Sequence, residues 1–423
     1  MFVSLYFRVE ELTSCSKEPL TDPTAIAKEL KRTTFILNRS MIVLVAKIRD
    51  GVSNLESLVT TSIDLEPSRK VRSRIREFKI LRDVSASIYR AVVASLGCDC
   101  TEHGIGIRLT ARSGDITPNY NDEDIFGNFK FHLTLSFQQG QPEASSLWEQ
   151  VEVEFLPSVA PTPSLPHAGP MASTSVPATD TPALDLCEGI RKAQKQEQVQ
   201  SYGIVVDNLT AKAVRFNIRP YHMSQHEGIS SGSCRMVCLR DILRQQANIP
   251  PLGFRAKLQL AVDAASSLLK LYDTPWLPGA LTSENIFFAV RDQSPNYEYA
   301  FLMVGTDPGF NTTSPPPEPG IIRNPTLLAL GILLIEISFG KTIEALRVPE
   351  EDLAAGDLLS NYVTARRLLS EIYQMGSNYG SAVRRCIDGE FERIQKLDLN
   401  DEGFQEEFYR GVVALLEEDL NSS

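Results

Sequence analysis

The chain has 423 residues, 43% hydrophobic and 22% charged, with a formal net charge of −11. This composition suits a packed core in two or three domains, and the acidic balance argues against a nucleic-acid binder, which needs a basic face. Five scattered histidines and seven unevenly spaced cysteines argue against a metal enzyme and a secreted disulfide scaffold. The start, MFVSLYFRVEELTS, has acidic residues by position 10 and no cleavage pattern. No apolar window reaches the ~20 residues of a membrane span, so a cytoplasmic protein is expected.

In chain order, Asp22-Pro23 predicts a helix start. Ile26, Leu30, Leu37, Met41, Leu44, Ile48, Leu55 and Leu58 then recur at three- and four-residue steps. A second run, Val71 to Leu96, follows Pro67. The pattern predicts two long helices packed as an antiparallel pair, a small helical bundle. The basic stretch RKVRSRIREFKILR at 69–82 reads as the solvated side of a bundle helix in preference to a membrane face. Cys98-Asp99-Cys100 and His103 are too tightly spaced for an ordinary zinc motif, and Cys234 and Cys238 would have to be brought in by the fold. A sharp turn is the plainer reading, and no metal is expected.

Three segments, 105–111, 129–137 and 147–155, read as strands of a small antiparallel sheet; FKFHLTLSF alternates strictly. Residues 157–183 are dense in Pro, Ser, Ala and Thr and read as a disordered linker. The expected domains are therefore 1–156, helical with a small sheet, and 184–423.

Beyond the linker, a helix from residue 184 leads to strands at 203–207 and 213–218, and a short helix lies at 239–244. The stretch FRAKLQLAVDAASSLLKLYDTPWLPGALTSENIFFAV, 254–290, then reads as a helix ended by Asp273 and Pro275, a polar loop and an apolar strand. TLLALGILLIEISF at 326–339 reads as a buried helix stopped by Gly340. The tail from 350 onward supplies further amphipathic helices.

Helix, loop ending in Asn, strand and buried helix together resemble the C-lobe of a protein kinase. Glu284, Gly331 and Glu336 match its structural text. With Asn285 as anchor, the catalytic Asp position holds Ala280 and the phosphate-facing Lys position holds Thr282. Alanine has no lone pair to take a proton. Asp307-Pro308-Gly309 is the nearest counterpart of the metal-binding triplet, and Lys212 or Arg215 the nearest phosphate cation. No Gly-x-Gly-x-x-Gly occurs. The resemblance implies a pseudokinase, with Asn285, Asp307 and Lys212 as a degenerate nucleotide and metal site.

The arrangement also resembles a fungal family of unknown function with a helical N-terminal half and a kinase-like C-terminal domain. The matching text includes Leu268 to Leu277, Glu284 to Phe288, Asn324 to Glu336 and Phe408 to Val413. Such kinase-like domains sometimes sit beside HeLo-type domains, which links the resemblance to self/non-self signalling. The fold expected is α+β: a helical bundle with a small antiparallel sheet, then a bilobal kinase-like domain with a mostly helical C-lobe. The function expected is a non-catalytic scaffold for a protein partner, with no cofactor, nucleic acid or membrane. The alternatives are an atypical active kinase using ATP and magnesium, and a membrane-acting helical protein.

Overall fold

The computed structural model describes residues 22–98, 103–110, 129–137, 147–156, 185–193, 199–209, 213–221, 235–245, 249–277, 279–291, 294–305, 322–353, 356–374, 376–392 and 397–423. The chain divides into two compact units, Met1–Arg69 and Lys70–Ser423.

In the first unit, helix α1 (Pro23–Ala94) starts where the sequence predicts. Asp22 accepts from the Thr24 N–H (3.1 Å) and hydroxyl (2.6 Å), capping the first turn. The expected break at Pro67 does not occur, and one helix of 72 residues runs through it. Proline removes one backbone bond, but its φ is helical, and no glycine stands beside it to reverse the chain. The antiparallel pair is therefore replaced by a single helix. Along residues 23–69 its apolar side chains, among them Leu30, Leu37, Met41 and Ile48, are exposed.

In the second unit, α1 continues with Ile75, Phe78, Leu81, Ile88 and Val92 buried. The described strands are β1 (Gly104–Arg108), β2 (Phe131–Phe137), β3 (Leu147–Leu156), β4 (Gly203–Asp207), β5 (Val214–Pro220), β6 (Arg235–Cys238), β7 (Ile286–Arg291) and β8 (Ser294–Gly305). They form one antiparallel sheet in the order β4-β5-β3-β2-β1-β8-β7-β6. The sheet spans the boundary expected at 157–183: β3 pairs with β5 from Val151↔Pro220 to Leu156↔Arg215. Residues 157–183 themselves lie outside the described residues. β3 also approaches β6, so the sheet curls on itself.

Helix α2 (Leu186–Ala193) follows β3 in the chain, and α3 (Leu239–Leu243) follows β6. Helices α4 (Phe254–Leu271), α5 (Pro325–Phe339), α6 (Ile343–Leu346), α7 (Asp357–Ile372), α8 (Ser377–Asp388), α9 (Glu402–Phe408) and α10 (Ala414–Ser422) complete the unit. A π turn at Tyr409–Val413 joins α9 to α10, and helix runs on to Ser422. The predicted boundaries of α4 and α5 hold. Asn324 caps α5 by accepting from Leu327 N (3.0 Å), and Gly340 ends it at φ 66°.

Three polar ties fix the C-terminal part of α1 to this body. Arg82 donates to the Leu269 carbonyl at the end of α4 (2.8 Å), and the Trp276 indole donates to the Ser85 carbonyl (2.7 Å). Arg90 and Ser87 both reach Asp207 Oδ2 at the end of β4 (2.7 and 2.6 Å). Burial pushes the Asp207 carboxyl up, but these donors outweigh it and hold it below the usual range. Much of the basic run 69–82 is thus engaged with protein: Arg74 with Glu77 (3.2 Å), Lys79 with Glu402 (3.3 Å) and Arg82 with α4.

Candidate functional site

The loop between α4 and β7 carries the residues singled out from the kinase-like pattern. Its core is Asn285. The side-chain oxygen accepts from Thr282 N (3.0 Å) and the amide nitrogen donates to the Ala280 carbonyl (3.0 Å). The amide therefore ties the loop into a closed turn, bonding the backbone of Ala280 and Thr282, the two positions that the sequence resemblance sets against a kinase's Asp and Lys.

Neighbouring elements hold the rest of the loop. Arg240 N–H at the start of α3 donates to the Ser283 carbonyl (3.0 Å), and the Cys238 thiol lies 3.2 Å from the same oxygen. The Arg240 guanidinium pairs with Glu284 and with Glu344 (3.4 Å). From below, Glu336 of α5 accepts from Ile343 N (2.9 Å) at the start of α6 and from the Ser283 hydroxyl. Burial pushes the Glu336 carboxyl up, and these hydrogen bonds partly offset it. Gly331 lets α5 meet α8: a Cβ there would stand 2.6 Å from Ile387 Cδ1 and 3.1 Å from Cys386 Cβ. Glu284, Gly331 and Glu336 thus serve the architecture of the loop and the helix beneath it. Nothing in the sequence signals that Arg240, or Cys238, which was weighed there only as a metal ligand, binds this loop from a distant strand and helix.

Lys212 and Asp307 lie outside the described residues. The described sheet leaves little room at the β1–β8 junction. β1 pairs with β8 over Gly104↔Gly305 to Arg108↔Phe301. A Cβ on Gly106 would stand 2.4 Å from Met303 Sδ and 2.7 Å from Thr134 Cγ2, and one on Gly104 2.6 Å from Trp148. Thr134 and Gln150 on the same face are buried. That face of the curled sheet is filled by its own side chains.

A cavity of about 310 Å³ lies elsewhere, lined by Lys79, Arg82, Asp83, Asp273, Asn400 and Glu402 among others. Asp273, read from the sequence as ending α4, is among its walls and has φ 59°, a left-handed conformation. Among its lining residues Lys79 pairs with Glu402, and Arg82 donates to Asn400 Oδ1 (2.9 Å). Asn285 is not among its lining residues.

Among the described residues, no helix is long and apolar enough to cross a membrane. A comparison with curated proteins gave no match. Residues 76–423, from the middle of the buried run of α1 through the sheet and all the later helices, match the model of a domain of unknown function, DUF7580, and the chain belongs to that family.

Proposed function

We propose that this chain is a non-catalytic, kinase-like protein that works as a scaffold for protein partners. The observation that carries this reading is the Asn285 amide, which is spent at both ends on the loop backbone beside Ala280. A kinase needs that amide on a metal ion and an Asp where Ala280 stands.

Four further features support it. The first five strands, in the order β1-β2-β3-β5-β4, followed by helix, loop, hairpin and buried helix, parallel a kinase domain; this is fold-level analogy. On that analogy the phosphate-binding lysine belongs on the third strand, and β3, LWEQVEVEFL, has none. The nucleotide would lie between the small-lobe sheet and the β7–β8 hairpin, where β1 and β8 are joined by backbone pairing. The exposed apolar side chains of residues 23–69 supply a contact surface. With the fungal resemblance, cytoplasmic self/non-self signalling is the setting we propose.

The test is a thermal shift of the full chain with millimolar ATP and magnesium, beside a phosphotransfer assay. A ligand present at a hundred times its Kd stabilises the folded state by about 2.7 kcal/mol, an easily read rise in midpoint. The reading expects no rise and no transfer, and expects Ala280→Asp to leave both unchanged. A rise abolished by Asn285→Ala, with measurable transfer, would establish the atypical active kinase instead.

A further inference from the structure

Three elements of the second unit meet at a cluster of soft donor atoms. Cys98 follows the last turn of α1, His103 directly precedes β1, and Cys187 is the second residue of α2. One ligand atom from each lies within 4.8 Å of the others. The backbone holds them in register: Leu186 N–H donates to the Ser95 carbonyl (2.9 Å), fixing the start of α2 on the end of α1. Cys187 is fully buried, and Cys98 and His103 are half-buried.

The histidine is oriented as a ligand. Its Nδ1 is 3.0 Å from the Ser136 carbonyl of β2, and its Nε2 is 2.8 Å from Cys98 Sγ. A carbonyl only accepts, so the proton belongs on Nδ1 and the Nε2 lone pair faces the thiols. Metal-binding histidines have this arrangement, with the outer nitrogen donating to a carbonyl or carboxylate that fixes the tautomer.

We propose that Cys98, His103 and Cys187 bind one zinc ion that joins α1, β1 and α2. Two thiolates and an imidazole are soft and borderline donors that suit zinc and not magnesium or calcium. The two thiolates neutralise the ion, and a tetrahedral site leaves one position for a water or another donor. With Zn–S of about 2.3 Å and Zn–N of about 2.0 Å, neighbouring ligand atoms stand roughly 3.5–3.8 Å apart. The observed cluster reaches that geometry by shifts of about 1 Å. The sequence expectation of no metal rested on the tight Cys98–His103 spacing and on Cys234 and Cys238 as the missing pair. Cys234 lies outside the described residues, and Cys238 turns to the Ser283 carbonyl. The third donor comes instead from beyond residues 157–183.

The experiment uses the full chain, purified under reducing conditions, stripped with a chelator and titrated with cobalt(II), then zinc. The expected result is one ion per chain, a thiolate-to-cobalt charge-transfer band in the near ultraviolet that zinc abolishes, and a higher melting temperature with zinc. Cys187→Ser should weaken the band, and His103→Ala should lower zinc affinity at least about tenfold. Because Cys187 is buried and its variant is prone to unfold, the spectrum of the unmodified chain is the primary readout. Absence of the band there overturns the proposal. So does a band unchanged in a folded Cys187→Ser variant, or a Cys98–Cys187 disulfide that persists in reductant.

Discussion

His132 on β2 has neither ring nitrogen hydrogen-bonded among the described residues. It lies 3.8 Å from Glu152, yet burial, with Arg108 adding to it, pushes its pKa down to about 4. The imidazole is therefore neutral at pH 7, and the contact with Glu152 is not an ion pair. Its ring packs on Tyr221 at 4.3 Å. The unfolded chain takes up this proton near pH 6.5, whereas the folded chain resists it. Stability is then fully present above pH 6.5 and falls as the pH drops toward 4, by on the order of 3 kcal/mol from this one group. Chemical denaturation between pH 7 and 4 should show that slope, and His132→Phe should flatten it. The Asp207 carboxyl, held below its usual range, contributes stability that is lost only at lower pH, so the two limbs are separable. An unchanged slope in the His132 variant would reject the assignment.

At the scale of elements, the close crossing of α5 and α8 depends on one missing methyl. Gly331→Ala gains about 1 kcal/mol of helix propensity but meets Ile387 Cδ1 at 2.6 Å. Overpacking of this kind costs about 1–3 kcal/mol. The variant should melt lower than the parent, and adding Ile387→Ala should give a smaller loss than the sum of the two single changes. Additivity of the two would mean that the contact carries no strain. α5 was legible in the sequence because its continuous apolar run and Gly340 after it agree, whereas α8 was read only as part of the amphipathic tail. The strands at 131–137 and 147–156 were legible by alternation. β8 was not: SPNYEY opens it with polar residues that give no strand signal, and pairing with β1 and β7 decides its conformation. Pro67 misled for the opposite reason, since a local breaker was outweighed by helix formers on both sides. At the candidate site, the residue types at Ala280, Thr282 and Asn285 were readable. The partners Arg240, Cys238 and Ser283 were not, because they depend on tertiary contacts. Cys187 lay equally out of reach, with the whole of β1 to β3 between it and His103.

For the molecule as a whole, residues 23–69 present an apolar stripe without a core of their own. Leu30, Leu37, Leu44 and Leu58 fall at multiples of seven, and Met41, Ile48 and Leu55 form a second row. Such a seam is the pattern of helices that pair side by side. Light scattering of the full chain should give a mass above that of one 46.9 kDa chain, and Met41→Glu with Ile48→Glu should return it to the monomer. A monomeric parent would leave the stripe to a different protein.

The pairing of β1 with β8 has a consequence for how the chain reaches its native state. The two strands are separated by roughly two hundred residues, so the seam between them is among the most non-local contacts in the fold and is slow to close. On the ribosome, β1, β2 and β3 emerge long before β8 exists, and the free edge of β1 must wait while most of the remaining chain is made. During that interval the nascent sheet offers unpaired backbone to any neighbouring strand. The step that closes the β1–β8 seam is therefore also the step that ends the chain's exposure to misassembly.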